Sequence, residues 1–354
     1  MPTDSLSLGL LSIFSLISFF VFLITKNFSR KIGNGVLLDQ DFDKPQAFHK
    51  ESVARTGGLA SILSLIIFFV LYHFLFNQIL FDYLFLSFAL FLLGFIEDFK
   101  NRINPNYRLI TMVLVLIFFI MFFSINIRAI DLPFLRTWME NQLFTNLFLL
   151  LCFLFIINGA NLVDGFNGLL AIHLLIINLI LFFINLNNGH QDLLLFITAQ
   201  IVILTCFLLF NFPKAKMFLG DSGSYLFGSL VAFNVINTHN LNPMISSFFF
   251  CIILFYLFFE VFFSFFRKIY LRRSPIKPDR KHLHMLSYNF LNKSKKFKEC
   301  NYLNSVIINL IYLCLILPAI FFYDNGFICR YWFFSLLVIY MVFYYLLYSF
   351  EKKQ

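Results

Sequence analysis

The sequence predicts an all-α, polytopic membrane protein with about eleven transmembrane helices. Hydrophobic residues make up 60% of its 354 residues and charged residues only 13%, which leaves too little polar surface to cover a soluble globule of this size. Apolar runs of about 17 to 23 residues, long enough to cross a bilayer as helices, recur along the whole chain. Lysine and arginine fall almost entirely between alternate runs, which indicates that the chain crosses a membrane repeatedly, with its basic loops on one side.

The eleven apolar runs are separated by short polar segments. They are Leu8 to Thr25, Leu59 to Phe76, Leu80 to Ile96, Leu109 to Ile125, Leu143 to Asn158, Leu169 to Leu186, Leu193 to Phe210, Ser222 to Thr238, Met244 to Phe266, Leu303 to Phe322 and Tyr331 to Tyr348. The eighth run is the least apolar, because it contains Gly223, Gly228 and Asn234. Whether this run crosses the membrane decides on which side every later loop lies.

The distribution of positive charge supports all eleven spans. With this count, 24 of the 27 lysines and arginines share one face, and only Arg128, Arg136 and Arg330 lie on the other. Basic residues of short loops are retained in the cytoplasm, so we expect the N-terminus outside and the C-terminus inside. The chain then forms one domain, 1–354, with cytoplasmic loops at about 27–57, 97–108, 159–168, 211–221 and 267–302.

The net charge of +9 is therefore concentrated on one membrane face. Basic loops beside anionic headgroups favour membrane lipid and an anionic substrate as partners, and nucleic acid is not expected. The six cysteines show no paired spacing typical of a zinc site or a disulfide framework.

The first two cytoplasmic loops carry basic and acidic candidates. In the first, Lys50 and Arg55 can donate to an anion, and Gly57-Gly58 lets backbone approach a ligand; a basic membrane-proximal loop is the simpler alternative. The second begins with Glu97-Asp98 at the end of a span. Paired carboxylates there are costly unless they serve a cation or a proton, although they could be solvated helix-end charges.

The third and fourth loops combine acids with small residues. Asn161, Asp164, Gly165 and Asn167 suit a nucleotide base and phosphate, whereas a simple turn would need fewer such groups. Asp221 directly precedes the eighth run, where a helix N-terminus attracts phosphate and a carboxylate can hold Mg²⁺; helix capping is the alternative.

The fifth loop is long and basic. Arg280, His282 and His284, with Asp279 nearby, fit a diphosphate clamp better than a zinc site, because no third nitrogen or sulfur ligand is close in sequence. Glu260 lies within the ninth span, and an acid there is a functional candidate without an assigned role.

These five clusters, in this order and on one face, resemble the polyprenyl-phosphate N-acetylhexosamine-1-phosphate transferase family, which is glycosyltransferase family 4. The resemblance spans Asp43 to His284. It implies that undecaprenyl phosphate attacks the β-phosphorus of a UDP-N-acetylhexosamine, giving a lipid-linked diphosphate sugar and UMP. This reaction initiates O-antigen-like envelope polysaccharide, including lipopolysaccharide, and belongs to cell wall biogenesis. The resemblance also implies Mg²⁺ or Mn²⁺, a homodimer, and a bacterial inner membrane with the site on the cytoplasmic face.

The resemblance assigns roles to individual residues. Asp221 matches the Mg²⁺ ligand, and Asp98 matches an acid that positions or deprotonates the lipid phosphate. We favour positioning, because a phosphate monoester has a second pKa of about 6 and is already mostly dianionic at neutral pH. Further catalytic candidates are Glu97, where the family commonly has Asp, and Asp164. The expected substrate-binding residues are Lys50, Arg55, Asn161, Gly165, Asn167, Arg280, His282 and His284.

Two alternatives remain. The related phospho-N-acetylmuramoyl-pentapeptide transferase has an acid where this chain has Asn167, and consecutive histidines where this chain has His282-Leu283-His284-Met285. A membrane transporter would place polar groups near the bilayer midplane in broken helices. Here they lie at span ends on one face, which favours an enzyme.

Overall fold

The structure, a computed structural model, describes residues 2–29, 37–39, 52–100, 104–127, 130–274, 279–294 and 299–352. Within these ranges the chain is almost entirely helical, with one pair of very short antiparallel strands. The elements are α1 (Pro2–Phe28), β1 (Leu38–Asp39), β2 (Val53–Ala54), α2 (Gly57–Phe76), α3 (Phe81–Lys100), α4 (Pro105–Phe122), α5 (Pro133–Met139), α6 (Gln142–Val163), α7 (Leu169–Asn187), α8 (Gln191–Asn211), α9 (Gly220–Leu241), α10 (Ser247–Ile253), α11 (Phe255–Tyr270), α12 (Leu283–Lys293), α13 (Cys300–Phe321) and α14 (Gly326–Lys352).

Multiple long apolar helices make this a multi-pass membrane protein. In the described residues, eight helices are long and apolar enough to cross a bilayer: α1, α2, α4, α6, α7, α8, α13 and α14. A ninth span results if α10 and α11, which meet at an angle of 74°, cross together. Ten of the eleven predicted runs each correspond to one helix, including α3 and α9 with 20 and 22 residues, whereas the ninth, Met244 to Phe266, is divided between α10 and α11. The count of eleven crossings and the sides of the termini stay predictions.

Helix α9, which corresponds to the weak eighth run, lies at the centre of the bundle. It packs against α2, α3, α6 and α7, and nearly all of its residues from Ser222 to Ile236 are buried. Gly228 lies directly against Ile157 and Ala160 of α6, and Asn234 donates to Gln200 of α8 at 3.1 Å. A helix surrounded by protein does not need lipid-facing apolar residues, and small or polar residues favour close helix contacts. Its low hydropathy therefore follows from its central position.

The peripheral helices have the opposite character. Helices α1, α4 and α14 expose large apolar side chains such as Leu16, Leu114 and Phe334, which suit contact with lipid. Inside the bundle, aromatic rings interlock; Phe119 of α4, for example, makes edge contacts with Phe153 and Phe233. Phenylalanine therefore contributes both to the lipid-facing surface and to the packed interior of the bundle.

The loops contain structure that the sequence did not predict. Strands β1 and β2 pair with Leu38 opposite Ala54, and Ala54 also bridges to Met217, which joins the first loop to the fourth. Helix α12 lies within the predicted fifth loop. Helix α6 continues to Val163, so Asn161 is on a helix and not in the expected loop at 159–168. Such short elements depend on contacts with distant segments, which periodicity along the chain does not report.

Candidate active site

Asp98, near the end of α3, holds the N-terminus of α9. Its carboxylate accepts the backbone N–H groups of Asp221 at 3.0 Å and Ser222 at 2.9 Å, and its side chain is buried. The first N–H groups of a helix have no partners within that helix, and a carboxylate is favoured at this positive end. Asp98 therefore caps a neighbouring helix and fixes the position of Asp221.

This capping contact requires Gly220. Its φ of +77° is unfavourable for a residue with a side chain. A Cβ atom at this position would also lie 2.6 Å from Oδ2 of Asp98 and 2.9 Å from Oδ1. The glycine therefore makes room for the carboxylate that caps α9.

Asp221 is held from a second side by Asn161, in the last turn of α6. The Asn161 side-chain nitrogen donates to Oδ1 of Asp221 and also to the hydroxyl of Ser224, at 3.1 Å. Two residues predicted from separate motifs are therefore in direct contact. The amide fixes the direction of one carboxylate oxygen of Asp221.

Asp164 completes a cluster of three carboxylates from three helix ends. It directly follows α6, and its backbone N–H donates to Ala160 at 3.1 Å. Burial raises the pKa of Asp164 to about 8, and the nearby Asp221 and Asp98 carboxylates add to this effect, while the Arg55 guanidinium opposes it. Nη1 of Arg55 lies 4.0 Å from Oδ1 of Asp98. Arg55 thus lies beside the cluster, and Arg108 also interacts with Asp221.

Glu97 has partners for both of its oxygens. Oε1 forms an ion pair with Nη1 of Arg108 at 2.9 Å, and Oε2 accepts the Tyr225 hydroxyl, also at 2.9 Å. Sequence reasoning did not single out Arg108 or Tyr225. Tyr225 lies four residues after Asp221, one helical turn away, and this spacing was the available signal.

The donor set suits a hard cation. In the described part of the chain, no group of three or more His, Cys, Asp or Glu side chains is arranged to hold a metal ion by itself. Mg²⁺ at phosphoryl-transfer sites is usually held by one or two carboxylates together with substrate phosphates. Asp221 and Asp164 offer oxygen ligands, and a cation would offset both causes that raise the pKa of Asp164, burial and the neighbouring carboxylates. These residues fit Mg²⁺ in that role.

The paired glycines of the first loop contact protein. The N–H of Gly57 donates to the carbonyl of Phe218 at 2.9 Å, and that of Gly58 donates to Leu219 at 2.9 Å. We had expected this pair to approach a ligand; instead it joins the start of α2 to the segment that carries Asp221. Lys50 lies outside the described residues.

Asn167 and Gly165 lie between the carboxylate cluster and the fifth loop. The backbone N–H of Asn167 donates to the side chain of Asn301 at 2.9 Å, and its side-chain nitrogen donates to the Pro213 carbonyl at 2.9 Å. A Cβ atom on Gly165 would lie 4.0 Å from Nε2 of His284. Asn167 therefore ties the third loop to the fourth, while Gly165 faces the fifth.

The two predicted histidines have different surroundings. Nδ1 of His282 lies 3.1 Å from Glu260, and its Nε2 lies 3.3 Å from Asp279. His284 is fully buried, and its Nδ1 lies 3.3 Å from the Tyr256 hydroxyl. Burial lowers the pKa of His284 to about 4, with His282 adding to this effect and Glu260 opposing it, so its ring is neutral at pH 7.

The acids around His282 belong to a larger network, and Arg280 is outside it. Asp279 accepts two hydrogen bonds from Nη2 of Arg267, at 3.0 and 3.2 Å. His282, Arg267 and Lys268 lower the pKa of Asp279 although its burial raises it. Glu260, which the sequence left without a role, is thus the partner of His282. Arg280 is exposed.

Comparison with known proteins shows which family part of the chain is similar to. Residues 80–239 match the model of glycosyl transferase family 4, a segment that includes Glu97, Asp98, Asn161, Asp164 and Asp221. This segment of the chain is similar to members of that family. An undecaprenyl-phosphate alpha-N-acetylglucosaminyl 1-phosphate transferase of Thermotoga maritima is 28% identical over 291 residues, which cover 80% of this chain and 82% of the relative.

Other relatives carry a second name. A phospho-N-acetylmuramoyl-pentapeptide-transferase of Dictyoglomus turgidum is 28% identical over 234 residues, covering 63% of this chain and 73% of the relative. One of Clostridium perfringens is 36% identical over 104 residues, covering 29% of this chain and 33% of the relative. The family therefore includes proteins named for two different phosphosugar donors.

Proposed function

We propose that this protein transfers an N-acetylhexosamine 1-phosphate from a UDP-sugar to undecaprenyl phosphate, releasing UMP and initiating an envelope polysaccharide. The carboxylate cluster of Asp98, Asp164 and Asp221 is the observation that carries this proposal. Three acids from separate helix ends meet at one helix N-terminus, where a cation and phosphate oxygens would be stabilised. The name and coverage of the T. maritima relative support the same donor class.

The residues of the cluster would divide the work. When bound, Mg²⁺ would neutralise charge on the diphosphate, and Asp221 with Asp164 would hold it. Asn161 would keep the Asp221 carboxylate in one orientation, because its amide donates to Oδ1. Arg55, beside Asp98, would add positive charge for the phosphate groups. Phosphoryl transfer depends mainly on such orientation and charge neutralisation.

Asp98 would act as a positioning residue. Both of its oxygens already accept backbone N–H groups of α9, so removing a proton from the acceptor would compete with these bonds. The lipid phosphate has little need of a base, because its second pKa of about 6 leaves it mostly dianionic at neutral pH. Glu97 would likewise support the site through Arg108 and Tyr225.

The third and fifth loops would bind the nucleotide-sugar. Gly165 and Asn167 lie beside the carboxylate cluster, and neutral His284 lies against Gly165. Exposed Arg280 would attract the diphosphate, as would Lys50 of the first loop. His282, whose two ring nitrogens face Glu260 and Asp279, would act by fixing the start of α12.

The proposed topology also gives the membrane face on which the carboxylate cluster lies. Eleven spans, with α3 and α9 crossing and the N-terminus outside, would bring the carboxylate cluster to the cytoplasmic face of a bacterial inner membrane. The UDP-sugar is water-soluble and the acceptor is a lipid, so a site at that surface meets both. A homodimer stays a prediction from the family resemblance.

The second candidate is the pentapeptide transferase, because the D. turgidum and C. perfringens relatives carry that name. We favour the UDP-N-acetylhexosamine donor, since Asn167 and Met285 stand where the pentapeptide branch has an acid and a further histidine. The Asn167 amide donates to a backbone carbonyl, which a carboxylate at this position could not do.

UMP release tests this choice. Purified protein in detergent, with undecaprenyl phosphate and Mg²⁺, should release UMP from at least one UDP-N-acetylhexosamine and none with EDTA. Asp221→Asn should abolish release, while Asp324→Asn, at an exposed position between α13 and α14, should leave it unchanged. UMP release only from the UDP-muramyl pentapeptide would favour the second candidate. Full activity of Asp221→Asn would exclude Asp221 as the metal ligand.

A further inference from the structure

Three tyrosines form a ladder on the last helix, α14. Tyr340, Tyr344 and Tyr348 are spaced one helical turn apart, which puts them on the same face. Their rings stack in sequence, with centroids 6.4 Å apart at 13° and then 6.0 Å apart at 12°. We call these three residues the tyrosine ladder.

Each hydroxyl of the ladder bonds a charged residue of α11 or the fifth loop. The Tyr340 hydroxyl donates to Oε2 of Glu260 at 2.6 Å. Tyr344 accepts from Arg267 at 3.0 Å and donates to the backbone carbonyl of Lys281 at 3.1 Å. The Tyr348 hydroxyl accepts from Nζ of Lys281 at 3.2 Å, and this amine also lies 4.8 Å from the ring centre. The helix therefore contacts α11 through Tyr340 and Tyr344, and the fifth loop through Tyr344 and Tyr348.

Packing alone would not require these hydroxyls. Phe259 and Phe263 of α11 pack on the ladder, with centroids 4.8 Å from Tyr340 and 4.6 Å from Tyr344. The chain contains 55 Phe against 15 Tyr, and phenylalanine supplies most other ring contacts in the bundle. A buried hydroxyl is costly without a partner. Phenylalanine would supply the same ring contacts, so tyrosine at these positions indicates that the hydroxyl hydrogen bonds are needed.

The contact of Tyr340 continues to the start of α12. Glu260 accepts the Tyr340 hydroxyl on Oε2, and its Oε1 faces His282 and accepts the backbone N–H of Leu283 at 3.0 Å. A carboxylate that serves three partners is fixed in direction, and it caps the helix that begins at Leu283. The ladder thereby sets where α12 begins.

Helix α12 carries His284 to the third loop. The His284 ring lies 5.9 Å from that of Phe166, close to Gly165. Its buried Nε2 has no hydrogen-bond partner among the described residues. A buried ring nitrogen without a partner is costly, so this atom is available to a ligand group between the third and fifth loops.

We propose that Tyr340 and Tyr344 are positioning residues for the nucleotide-sugar: through Glu260 and Lys281 they hold α12 so that Nε2 of His284 meets a polar group of this substrate. This inference rests on the proposed function, since it concerns the donor of that reaction. Neither tyrosine touches the substrate. The last helix thus contributes to a site whose acids come from α3, α6 and α9.

Removal of single hydroxyls tests the inference. Tyr340→Phe and Tyr344→Phe keep the rings, and Tyr345→Phe is the matched control, because Tyr345 is exposed on the lipid side of the same helix. Loss of a hydrogen bond to a charged group should raise the KM for the UDP-sugar by about 10-fold in Tyr340→Phe, with kcat and the KM for undecaprenyl phosphate changed by less than about 2-fold. The control should match the unaltered protein.

Two further measurements separate positioning from general stability. If Tyr340 acts through His282, the KM effects of Tyr340→Phe and His282→Asn should not add in the double variant. Hydrogen exchange of the α12 amides should be faster in Tyr340→Phe than in Tyr345→Phe, and this measurement needs no turnover. A lower melting temperature with unchanged KM would make the ladder merely structural and overturn the inference.

These measurements also distinguish the two proposals. An active protein in which Tyr340→Phe changes neither KM nor the exchange of α12 would refute the positioning role and leave the proposed function intact. A protein that releases no UMP from any UDP-sugar would refute the proposed function, and unchanged exchange of α12 would then refute the coupling of the ladder to that helix as well.

Discussion

Substitution of Gly220 by alanine tests how the candidate site is built without altering any of its carboxylates. The added methyl group meets two penalties. At φ +77° an alanine costs about 1 to 2 kcal/mol relative to its ordinary conformation. Its Cβ atom would also lie 2.6 Å from the nearer Asp98 oxygen, so the carboxylate must move away from the N–H groups of Asp221 and Ser222.

Gly189 provides a matched control. Its φ is +74°, and an added Cβ would have no neighbour within 4 Å. Gly189→Ala should therefore carry only the backbone cost. Gly220→Ala should lose at least one further hydrogen bond to a charged group, which contributes about 1.5 to 3 kcal/mol. The free energy of unfolding in mixed detergent micelles should thus fall by about 1.5 to 3 kcal/mol more in Gly220→Ala than in the control.

Activity should separate the two variants further. Displacement of Asp98 releases the N-terminus of α9, which carries Asp221, and a misplacement of about 1 Å in an active site can reduce the rate by about 100-fold. UMP release should fall by about this factor in Gly220→Ala and stay near normal in Gly189→Ala. Equal destabilisation of both variants, with full UMP release by Gly220→Ala, would show that Asp98 does not fix the position of Asp221.

Three further predictions concern protonation, the Glu97 contacts and topology. Because the pKa of Asp164 is raised to about 8, Mg²⁺ bound as proposed would compete with its proton at neutral pH; the apparent Kd measured by titration calorimetry should then fall as pH rises from about 6 to 8, by up to about tenfold per unit, and Asp164→Asn should flatten this slope. Without metal, the proton on the Asp164 carboxyl binds the folded state more tightly than the unfolded state. The melting temperature should therefore fall as pH rises toward about 8, and a constant melting temperature would contradict the raised pKa of Asp164. Glu97→Asp keeps the charge but is one methylene shorter, so it should lose its hydrogen bond to Arg108 or Tyr225 and reduce UMP release by about 2- to 10-fold; unchanged release would show that these contacts do not support catalysis. Alkaline phosphatase fused after Glu140 should be active and a fusion at the C-terminus inactive, and the reverse pattern would invert the topology.

Much of the fold could be predicted because it depends on local properties. Span length requires only a run of apolar residues, and the side of a loop follows from its lysines and arginines. Ten of the eleven predicted runs each correspond to one helix and the ninth is broken between α10 and α11, while the family resemblance drawn from the acidic and amide motifs is supported by the match over residues 80–239. Helix α9 had the weakest hydropathy signal of the predicted spans, because hydropathy reflects contact with lipid and α9 contacts protein.

The site was predicted less completely. Asp98, Asp164 and Asp221 were recognised as acids at span ends, but sequence could not say which of them caps a helix and which faces a ligand. Glu260 was recognised only as an unexplained intramembrane acid. Its hydrogen bond to Tyr340, 80 residues later, could not be read from spacing along one helix.

The glycines of the first loop show the same limit. The sequence predicts that Gly57 and Gly58 admit a ligand, yet Gly57 makes room for the backbone of Phe218 and Leu219, and Gly58 makes room for Ser222 and Gly223. Both arrangements need a residue without a side chain, so the sequence pattern is the same for each. Only the neighbour across the gap distinguishes them.

A bundle of apolar helices, with basic and acidic motifs at the ends of its spans, follows directly from the amino-acid sequence. Those features depend on the free energy of transfer of each segment between water and lipid, which is a property of the segment alone. Only the folded arrangement shows that Asp98 holds α9, that Asn161 orients Asp221 and that Tyr344 and Tyr348 of α14 bond Lys281 of the fifth loop. Such hydrogen bonds are short and directional, so they exist only once packing has brought residues distant in sequence to within about 3 Å.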